Sequence, residues 1–465
     1  MAKHSVNEQL MLELVNRARL DPLSEAKRLG IDLNRDLAPG TLNGNPKAVL
    51  APNDLLVNAA RAHSQHILDV DLFQHQGIGD GTPSSRIAAA RYTFPSGGTL
   101  GENIAINGTS RIANLTGLTV ANHEGLFESA PHRLNILSDN FREIGIGIKH
   151  GQFFFPNELV PSKPTLLNSV DATQNFARSG SDVFITGVAI TDANGNNFYD
   201  IGEQRAGIIV AARQLGVTVD SDTTGTAGGY AIGVAAGAYQ VRFEGGGLSH
   251  AVNCTVNVLA NVKLDLAGSN EILSSASIVL GDGAVAASLL GVANLNATGN
   301  GAANVLLGNR GVNSLAGLDG NDRLVGGAGG DNLQGGNGID TLLGGTGRDQ
   351  LSGGAQRDIF DFDALTDSGT TAATRDLIRD FSHGLDDLDL STLDAIAGGG
   401  NNAFSFIGKS AFSHVAGQLH FVLFNPPGSA LDHTIVEGDV NGDARADFQI
   451  DLNGLIGFTV TDFIL

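Results

Sequence analysis

The chain is short of several residue types, and each shortage narrows its class. It has one cysteine, Cys254, and no tryptophan among 465 residues. A single cysteine excludes an intramolecular disulfide, so the chain is not stabilised like many small secreted domains. After Lys263 the only lysine is Lys409, and the formal net charge is −21. That charge argues against nucleic acid and anionic membranes as partners and fits a protein that binds cations.

Long apolar runs are also missing. No uninterrupted apolar segment is long enough to cross a bilayer, so we expect no transmembrane segment. The opening MAKHSVNEQLMLELVNRARL scatters polar and charged residues and lacks the apolar core of a signal peptide. Alone, these features predict a cytosolic protein, and the length allows two to four domains.

Glycine, by contrast, is abundant, with 63 copies. From Gly317 to Phe360 it forms a nine-residue repeat: GLDGNDRLV, GGAGGDNLQ, GGNGIDTLL, GGTGRDQLS and GGAQRDIF. Leucine is the eighth residue of the first four blocks, and Phe360 takes that place in the last. The sixth residue of every block is an aspartate: Asp322, Asp331, Asp340, Asp349 and Asp358. A flexible Gly/Asp linker is the alternative, but a linker does not need an apolar residue at every eighth position.

The repeat predicts a stack of coils. Glycines permit the tight turn, and the next three residues form a short strand with the leucine inward. Two blocks make one coil, which places Asp322, Asp340 and Asp358 about 4.8 Å apart. Carboxylates about 5 Å apart repel by roughly 3 kcal/mol at an effective dielectric of 20, so we expect a cation between them. Ca²⁺ takes carboxylate and carbonyl oxygens. The predicted ligands are the five aspartates and the turn glycines Gly326, Gly327, Gly329, Gly335, Gly336, Gly338, Gly344, Gly345 and Gly347.

These residues resemble the calcium-binding nonapeptide repeats of RTX proteins, which form a parallel β-roll. The nine-residue spacing also extends towards the N terminus, where Asn304 and Asn313 take the aspartate position. We expect these two turns to form a structural lead-in to the roll. Beyond Phe360, RDLIRDFSHGLDDLDLS and AFSFIGKSAFSHVAGQLHF resemble the C-terminal region of serralysin-type exported proteins. The final Asp462-Phe463-Ile464-Leu465 resembles the uncleaved signal of type I export, although any C-terminal strand can end this way. The resemblance implies an extracellular or cell-surface protein, exported by an ABC transporter, whose roll folds when it meets calcium outside the cell.

The first third of the chain resembles the bacterial form of the CAP superfamily (SCP domains). The resemblance rests on LFQHQG (72–77), GENIA (101–105) and HEGLFESAPHRLNILSDNFREIGIG (123–147). It implies an α-β-α sandwich. The apolar spacing within NEQLMLELVNRARLDP predicts a helix that stops at Pro22, and a second helix is expected from Leu55 to Leu68. The resemblance also implies a cleft that can hold a divalent metal such as Zn²⁺. The residues carried over to that cleft are His75, Glu102 and His132, with either Glu124 or Glu128 as the fourth.

The cleft departs from the family pattern, because no tryptophan is present and SAPHR replaces the commoner SPGHR. His63 and His66, one helical turn apart, are either a ligand pair or one core and one solvated histidine. The segment has neither HExxH nor G-x-S-x-G. The resemblance to the CAP superfamily implies a domain that binds a lipid or another small molecule. A metal-assisted hydrolase (protease or esterase) and a non-catalytic adhesin or matrix protein are the alternatives.

The stretch after the first domain reads as a small β domain of the immunoglobulin or prealbumin kind, with strands predicted in FITGVAI, AGIIVAARQ, TAGGYAI, AGAYQVRF and HAVNCTVNVLANVKLDL. Its loop DANGNNFYDIGE places oxygen donors at EF-hand spacing: Asp192, Asn194, Asn196, the Phe198 carbonyl, Asp200 and Glu203. A metal-free Asn/Gly turn is the alternative. A second loop, 439–452, has Ile450 at the twelfth position, so a turn is favoured there. The predicted multidomain order is a CAP sandwich (1–178), a β-sandwich (182–268), a parallel β-roll (270–362) and a β-rich cap with the export signal (363–465).

Overall fold

A computed structural model describes residues 3–94, 98–111, 114–156, 164–180, 182–398, 400–425 and 432–465. The chain divides into two compact units. The N-terminal unit is Met1–Val252 with Val256–Ser269, and the C-terminal unit is Asn253–Thr255 with Asn270–Leu465. Among the described residues, no helix combines the length and the apolar character needed to cross a bilayer.

The helices all lie in the first part of the chain, apart from one 3₁₀ turn at Val460–Asp462. They are α1 (Val6–Leu20), α2 (Pro22–Arg28), α3 (Asp54–Val70), α4 (Pro83–Ala89), α5 (Leu115–Glu128) and α6 (Ala130–Ile136). Ser5 and Glu8 form a capping box at the start of α1, and Asn53 caps α3. The predicted stop of the first helix before Pro22 is confirmed. The second predicted helix, Leu55 to Leu68, is confirmed with slightly wider bounds.

The strands of the N-terminal unit form three sheets. The strands are β1 (Ala51–Pro52), β2 (Gly101–Thr109), β3 (Glu143–Phe155), β4 (Thr165–Ala177), β5 (Val183–Ile190), β6 (Ile208–Gln214), β7 (Val217–Thr223), β8 (Gly229–Val234), β9 (Gly237–Gly245), β10 (Val252–Val258) and β11 (Val262–Ala267). Their orders are β1-β3-β4-β2, β10-β9-β6-β7 and β11-β5-β8.

Helices pack on both faces of the sheet β1-β3-β4-β2. Ile144 and Ile146 of β3 join a core that includes residues of α1 and α5. The intervening Gly145 and Gly147 face α3, whose backbone lies directly on the sheet. A Cβ at Gly147 would come within 2.2 Å of the Arg61 nitrogen, so this contact requires glycine.

The β domain differs from the sequence expectation at two strands. The segment HAVNCTVNVLANVKLDL forms two strands, β10 and β11, separated at Asn261. The buried Asn261 side chain accepts the Phe184 N–H and donates to the carbonyls of Val49 and Arg142. Strand β7 was not predicted because the residues from Val217 to Ser221 are all exposed and give no alternating pattern.

The C-terminal unit is built from short strands. They are β12 (Glu271–Ser274), β13 (Ile278–Leu280), β14 (Ala286–Leu289), β15 (Asn296–Thr298), β16 (Val305–Leu307), β17 (Ser314–Asp319), β18 (Arg323–Ala328), β19 (Asn332–Asn337), β20 (Thr341–Thr346), β21 (Gln350–Ala355), β22 (Ile359–Asp361), β23 (Leu377–Ile378), β24 (Asp387–Asp389), β25 (Ser405–Phe406), β26 (Gln418–Phe424), β27 (His433–Asp439), β28 (Phe448–Asn453) and β29 (Phe463–Ile464).

From β12 to β24 these strands alternate between two parallel sheets. From β16 to β20 each strand pairs in register with the strand 18 residues further on, as Leu324 does with Leu342 and Leu333 with Leu351. The inward residues have no exposed surface: Leu306, Leu315, Leu324, Leu333, Leu342, Leu351 and Phe360. The predicted parallel, β-rich repeat region, with two blocks per coil, is confirmed.

The unit ends in an antiparallel sheet, β26-β27-β28, joined to β23 through β28. The last strand, β29, pairs in parallel with β24. The final residues of the chain are therefore part of the folded unit.

Candidate functional site

The repeat aspartates form two columns, one along each edge of the roll. In the first column the N–H of Asp322 donates to Asp340 Oδ1 (2.8 Å), and the N–H of Asp340 donates to Asp358 Oδ1 (2.9 Å). In the second column the N–H of Asp331 donates to Asp349 Oδ1 (2.6 Å). Each column begins at an asparagine, because Asn304 and Asn313 donate their N–H to Asp322 and Asp331. One oxygen of each aspartate is thus fixed by the preceding coil.

The second oxygen of each repeat aspartate is left without a partner. Oδ2 is buried and has no hydrogen-bond partner at Asp322, Asp331, Asp340, Asp349 and Asp358. Buried polar atoms are nearly always paired, so five equivalent exceptions point to a missing ligand.

The turn glycines bring carbonyl oxygens to the same places. A Cβ on Gly326 would lie 2.5 Å from Asp331 Oδ2 and 2.5 Å from the Gly344 carbonyl oxygen of the next coil. Gly335 has the same relation to Asp340 and Gly353. Other turn positions have positive φ, which favours glycine: Gly327, Gly329, Gly336, Gly338, Gly345 and Gly347. Only glycine therefore lets the carboxylate and the carbonyl approach one another.

The electrostatics of the columns favour a cation. Burial raises the pKa of Asp322 and Asp331 to about 6, and that of Asp349 and Asp358 to about 7. A nearby carboxylate adds to the rise at Asp322, Asp349 and Asp358. Among the described residues, no three His, Cys, Asp or Glu side chains gather closely enough to hold a metal by themselves. The fitting ion is one that also takes main-chain carbonyls, and Ca²⁺ is such an ion.

Two further aspartates continue the columns, and the sequence reasoning did not assign them. Asp349 donates its N–H to Asp376 Oδ1 (2.8 Å), and Asp358 donates its N–H to Asp386 Oδ1 (2.9 Å). A signal was available, because Ile378 and Leu388 follow two residues later, as leucine follows each repeat aspartate. Longer intervening segments hid it, with 27 and 28 residues in place of 18.

The N-terminal unit brings three of the predicted cleft residues together. Glu102 of β2 accepts a hydrogen bond from His75 Nδ1 at 3.0 Å, and the rings of His75 and His132 are 6.4 Å apart. Arg86 of α4 forms a salt bridge with the other oxygen of Glu102 at 2.5 Å. His63 Nε2 lies 3.9 Å from Glu102 Oε1. The Glu102 carboxylate is therefore the centre of the group.

His63, Asp80 and Arg86 belong to this cluster although the sequence reasoning did not include them together. His63 is fully buried and its Nδ1 contacts Asp80 Oδ2 at 2.5 Å, while Arg86 reaches the same oxygen at 3.3 Å. Burial lowers the pKa of His63 and of His132, and at His132 the neighbouring His75 adds to the effect. Two buried ring nitrogens of this cluster have no hydrogen-bond partner: His63 Nε2 and His132 Nδ1. His66 Nε2, one turn of α3 after His63, is also buried and unpartnered.

The two carboxylates considered as the fourth cleft residue have other partners. Glu124 forms a salt bridge with Arg28 at 2.7 Å, and Glu128 lies 4.0 Å from Arg35. The structure does not bring either into contact with His75 or Glu102. Arg28 also binds the buried Glu25, which accepts a hydrogen bond from His123.

The loop 192–203, predicted as a calcium loop, folds back on its own polar side chains. The side chains of Asn194 and Asn196 both reach Asp200 Oδ2, at 2.8 and 2.7 Å. Asn197, at the sixth position, has φ of 54°, where an EF-hand loop uses glycine. Glu203 is 8% exposed, and its Oε1 accepts the Ala193 N–H while Oε2 has no partner. The Phe198 ring of the same loop lies under Arg17 at 5.1 Å.

The second such loop, from Asp439, closes on itself. Both oxygens of Asp439 accept backbone N–H groups, and both oxygens of Asp447 accept donors from Val440 and Asn441. Ile450 occupies the twelfth position as part of β28. This carboxylate set is satisfied by the protein itself, which agrees with the favoured interpretation as a turn.

The C-terminal tetrapeptide begins at a fully buried aspartate. Asp462 accepts N–H groups from Gly384 and Thr459 and contacts His383 Nδ1 at 2.8 Å. These donors hold the pKa of Asp462 below its usual value against the opposing effect of burial. Phe463 packs beside Phe458 and Phe406.

Residues 300–465 match the family model described as the Peptidase M10 serralysin C terminal. This region is therefore of the serralysin type, an RTX-type domain typical of secreted, calcium-binding proteins. The match covers little more than a third of the chain. No curated protein matches the chain.

Solved structures that match parts of the chain include an extracellular SCP-domain protein of Bacillus anthracis. It is 26% identical, with 29% of this chain and 35% of that chain covered and a TM-score of 0.21, so the match spans about a third of that protein. Two others are the AlgE6R2 and AlgE6R3 subunits of the Azotobacter vinelandii mannuronan C5-epimerase, at 23% and 21% identity. Each covers 37% of this chain, with 92% and 78% of those chains covered and TM-scores of 0.21.

Proposed function

We propose that this is a secreted protein whose C-terminal roll folds when it binds Ca²⁺. The observation that carries the proposal is the row of buried Oδ2 atoms without partners in the two aspartate columns. Without a cation, each coil buries carboxylates that repel their neighbours and have lost their water. Bound Ca²⁺ supplies the positive charge that compensates both costs, and the binding free energy becomes folding free energy.

The residues of the chain have separate tasks in this scheme. Oδ1 of each aspartate fixes the register by accepting the N–H of the preceding coil. Oδ2 and the carbonyl oxygens of the turn glycines hold the ion. The inward leucines stack between the two sheets and exclude water from the interior of the roll. Asn304 and Asn313 are the first residues of the two columns, and they add no charge because asparagine is neutral.

We propose that export takes place through a type I (ABC) transporter while the roll is unfolded. The serralysin-type match of residues 300–465 supports this route. Low cytosolic calcium keeps the chain extended for a narrow exporter, and the higher calcium concentration outside folds it.

The test uses the full chain after removal of calcium with EDTA. We expect the far-ultraviolet circular dichroism of strands to appear cooperatively as Ca²⁺ is added, together with a fall in the radius of gyration. Mg²⁺ at the same ionic strength is the control, since it demands a rigid octahedral shell and should not replace Ca²⁺. A compact roll in excess EDTA would contradict the proposal.

For the N-terminal unit we propose a CAP-type α-β-α sandwich with a binding cleft around Glu102. The unpartnered imidazole nitrogens of His63 and His132, in the cluster around the buried Glu102 carboxylate, support a polar or cationic group as the ligand's contact point. The occupant is a divalent metal such as Zn²⁺, or a lipid or small molecule that presents such a group. His75, half exposed at its side chain, leaves the cleft open to solvent.

The same nitrogens favour a second candidate, a metal-assisted hydrolase, because imidazole ligands with an open position suit activation of water. Metal content and turnover of peptide, ester and lipid substrates distinguish the two. Metal-dependent turnover that is lost in His132→Ala would establish the hydrolase. Ligand uptake without turnover would establish the binding domain.

A further inference from the structure

A pair of asparagines, Asn300 and Asn304, joins two coils of the roll ahead of the first repeat aspartate. The Asn300 amide nitrogen donates to two main-chain carbonyls of the preceding coil, that of Gly281 at 2.9 Å and that of Ala284 at 2.8 Å. Its amide oxygen accepts the Ala302 N–H and the Asn304 amide. Asn304 Oδ1 in turn accepts the Asn300 N–H at 2.7 Å. The pair thus satisfies its own groups and the carbonyls of the neighbouring coil.

The same pattern recurs nine residues later, at Asn309 and Asn313. The Asn309 amide nitrogen donates to the carbonyls of Leu290 at 3.3 Å and Ala293 at 3.0 Å. Its oxygen accepts the Gly311 N–H and the Asn313 amide, and Asn313 Oδ1 accepts the Asn309 N–H at 2.8 Å. Each of the two aspartate columns is therefore preceded by one such asparagine pair.

The polar groups of these first coils are all satisfied by the protein. From residue 270 to residue 316, a stretch that the structure describes throughout, no buried side-chain nitrogen or oxygen lacks a hydrogen-bond partner. The unpartnered atoms of the roll begin at Asp322 Oδ2 and recur at every later repeat aspartate. An amide N–H presents positive partial charge to carbonyl oxygens, as a bound cation does. The coils up to residue 316 therefore need no ion to compensate their buried groups.

The later coils have no room for such an amide. The second position of the nine-residue block, held by Asn309, is glycine with positive φ at Gly327, Gly336 and Gly345. A Cβ at Gly327 would lie 2.4 Å from the Asn309 carbonyl oxygen, and one at Gly336 would lie 2.0 Å from that of Leu318. The roll thus joins its coils in two ways, through amides at its start and through carboxylates further on.

The first amide-joined coil also has partners on its other side. The Gly281 N–H donates to the Asn253 carbonyl at 2.9 Å, and the backbone N–H and side-chain amide of Asn253 both donate to the Asp282 carbonyl. Asn253 belongs to the same compact unit. Inside the roll, Leu306 and Leu315 have no exposed surface. Hydrogen bonds and apolar packing therefore hold this segment on every side.

We propose that residues 281–316 form a calcium-independent part of the roll, in which the pairs Asn300/Asn304 and Asn309/Asn313 join the coils in place of ions. This inference rests on the proposed calcium-dependent roll, and it confines the dependence on calcium to the coils that follow. Without calcium the repeat coils from Asp322 onwards stay open, as the proposed function requires, while the segment before them keeps its structure.

Hydrogen–deuterium exchange of the full chain, followed by mass spectrometry of its peptides, tests the inference without a variant. In excess EDTA we expect slow exchange in peptides from residues 281–316 and fast exchange in those from 317–360, because protection requires a folded coil. Added Ca²⁺ should slow the exchange of the second set only. Fast exchange of 281–316 in EDTA would overturn the inference and leave the calcium roll intact. Slow exchange of 317–360 in EDTA would contradict the proposed function instead.

A double substitution tests the part played by the amides. Block 308–316, GNRGVNSLA, departs from the repeat pattern only at Asn309 and Asn313, so Asn309→Gly/Asn313→Asp turns it into a repeat block. We expect peptides of this block to lose protection in EDTA and to recover it in Ca²⁺. The control is Arg310→Lys/Val312→Thr, at two exposed positions of the same block, which should exchange like the wild type in both solutions.

Two results of the double substitution would count against the inference. Unchanged protection of Asn309→Gly/Asn313→Asp in EDTA would show that the amides do not hold the coil. Loss of protection in both EDTA and Ca²⁺ would show that the coil needs its asparagines for a reason other than the replacement of an ion.

Discussion

Asp340→Asn is the sharpest perturbation of the roll, since Asp340 is the central aspartate of the first column. The substitution keeps the shape and the oxygen that accepts the Asp322 N–H, and it removes the charge on the unpartnered Oδ2. Loss of one ion that is present at about a hundred times its Kd removes about 2.7 kcal/mol of stability. In saturating Ca²⁺ we therefore expect the free energy of unfolding of the C-terminal unit to fall by about 2 to 3 kcal/mol.

In the absence of calcium the same substitution should act in the opposite direction. A carboxylate flanked by two others at about 5 Å costs roughly 3 kcal/mol per pair at an effective dielectric of 20, an upper bound because protonation relieves part of it. In EDTA, folding can be driven by an excluded osmolyte such as trimethylamine N-oxide. Asp340→Asn should then fold at a lower osmolyte concentration than the wild type.

The assay benefits from the distribution of tyrosine. The four tyrosines, Tyr92, Tyr199, Tyr230 and Tyr239, all precede residue 252 and the chain has no tryptophan. Tyrosine fluorescence therefore reports unfolding of the N-terminal unit. A change in circular dichroism without a change in tyrosine fluorescence reports unfolding of the C-terminal unit. Asp319→Asn is the control, because it removes an exposed charge from the turn of the preceding coil, beside Asn337. Destabilisation of equal size in EDTA and in Ca²⁺ would refute the reasoning.

Three further predictions concern the N-terminal unit. Glu203→Gln should lower the melting temperature followed by tyrosine fluorescence in Ca²⁺ but not in EDTA, because Glu203 Oε2 is the free oxygen of the 192–203 loop. The control is Asp443→Asn, in the loop from Asp439 whose carboxylates are paired within the protein. Equal shifts of the melting temperature of Glu203→Gln in Ca²⁺ and in EDTA would argue against an ion at Glu203. After dialysis, elemental analysis should find no bound divalent metal in His132→Ala, whereas His150→Ala should keep the metal content of the wild type. If both variants keep the metal, its site does not include His132. Asp171, buried with both oxygens unpartnered, has a pKa raised to about 8 by burial. Protonated Asp171 stabilises the fold fully below the unfolded pKa of about 4, and this stability is lost as the pH rises to about 8, by at most about 1.36 kcal/mol per pH unit. In urea titrations, Asp171→Asn should therefore reduce the fall in the free energy of unfolding between these pH values. An unchanged fall would show that Asp171 is ionised in the folded protein.

The sequence predicted the periodic parts of the molecule well. A nine-residue repeat with one inward leucine has a single way of stacking, so the register of Leu324 on Leu342 followed from spacing. Helices α1 and α3 were predictable because their caps, apolar periodicity and Pro22 act locally. Strand β7 was not predicted because its residues from Val217 to Ser221 are all exposed, so they do not alternate between buried and exposed positions.

The sites were harder to predict than the elements. His75, Glu102 and His132 were found through a motif resemblance, yet the partners of Glu102 depend on how α3 and α4 cross the sheet. Spacing along α5 left Glu124 and Glu128 equivalent, and only the positions of Arg28 and Arg35 show where each side chain goes. Asp376 was missed because the intervening segment broke the period while the aspartate-to-apolar spacing survived.

The 18-residue register also sets how the roll can form. Each coil touches only the coil before it and the coil after it, so the stack behaves as a one-dimensional array with nearest-neighbour coupling. The coils at Asn304 and Asn313 bury no charge at the column positions and can form first. Growth then adds one coil at a time towards the C terminus, and each added coil presents Oδ1 and Oδ2 atoms to the next. Shortening the array should therefore lower its stability and cooperativity in steps, until too few coils remain to bury the shared row of leucines.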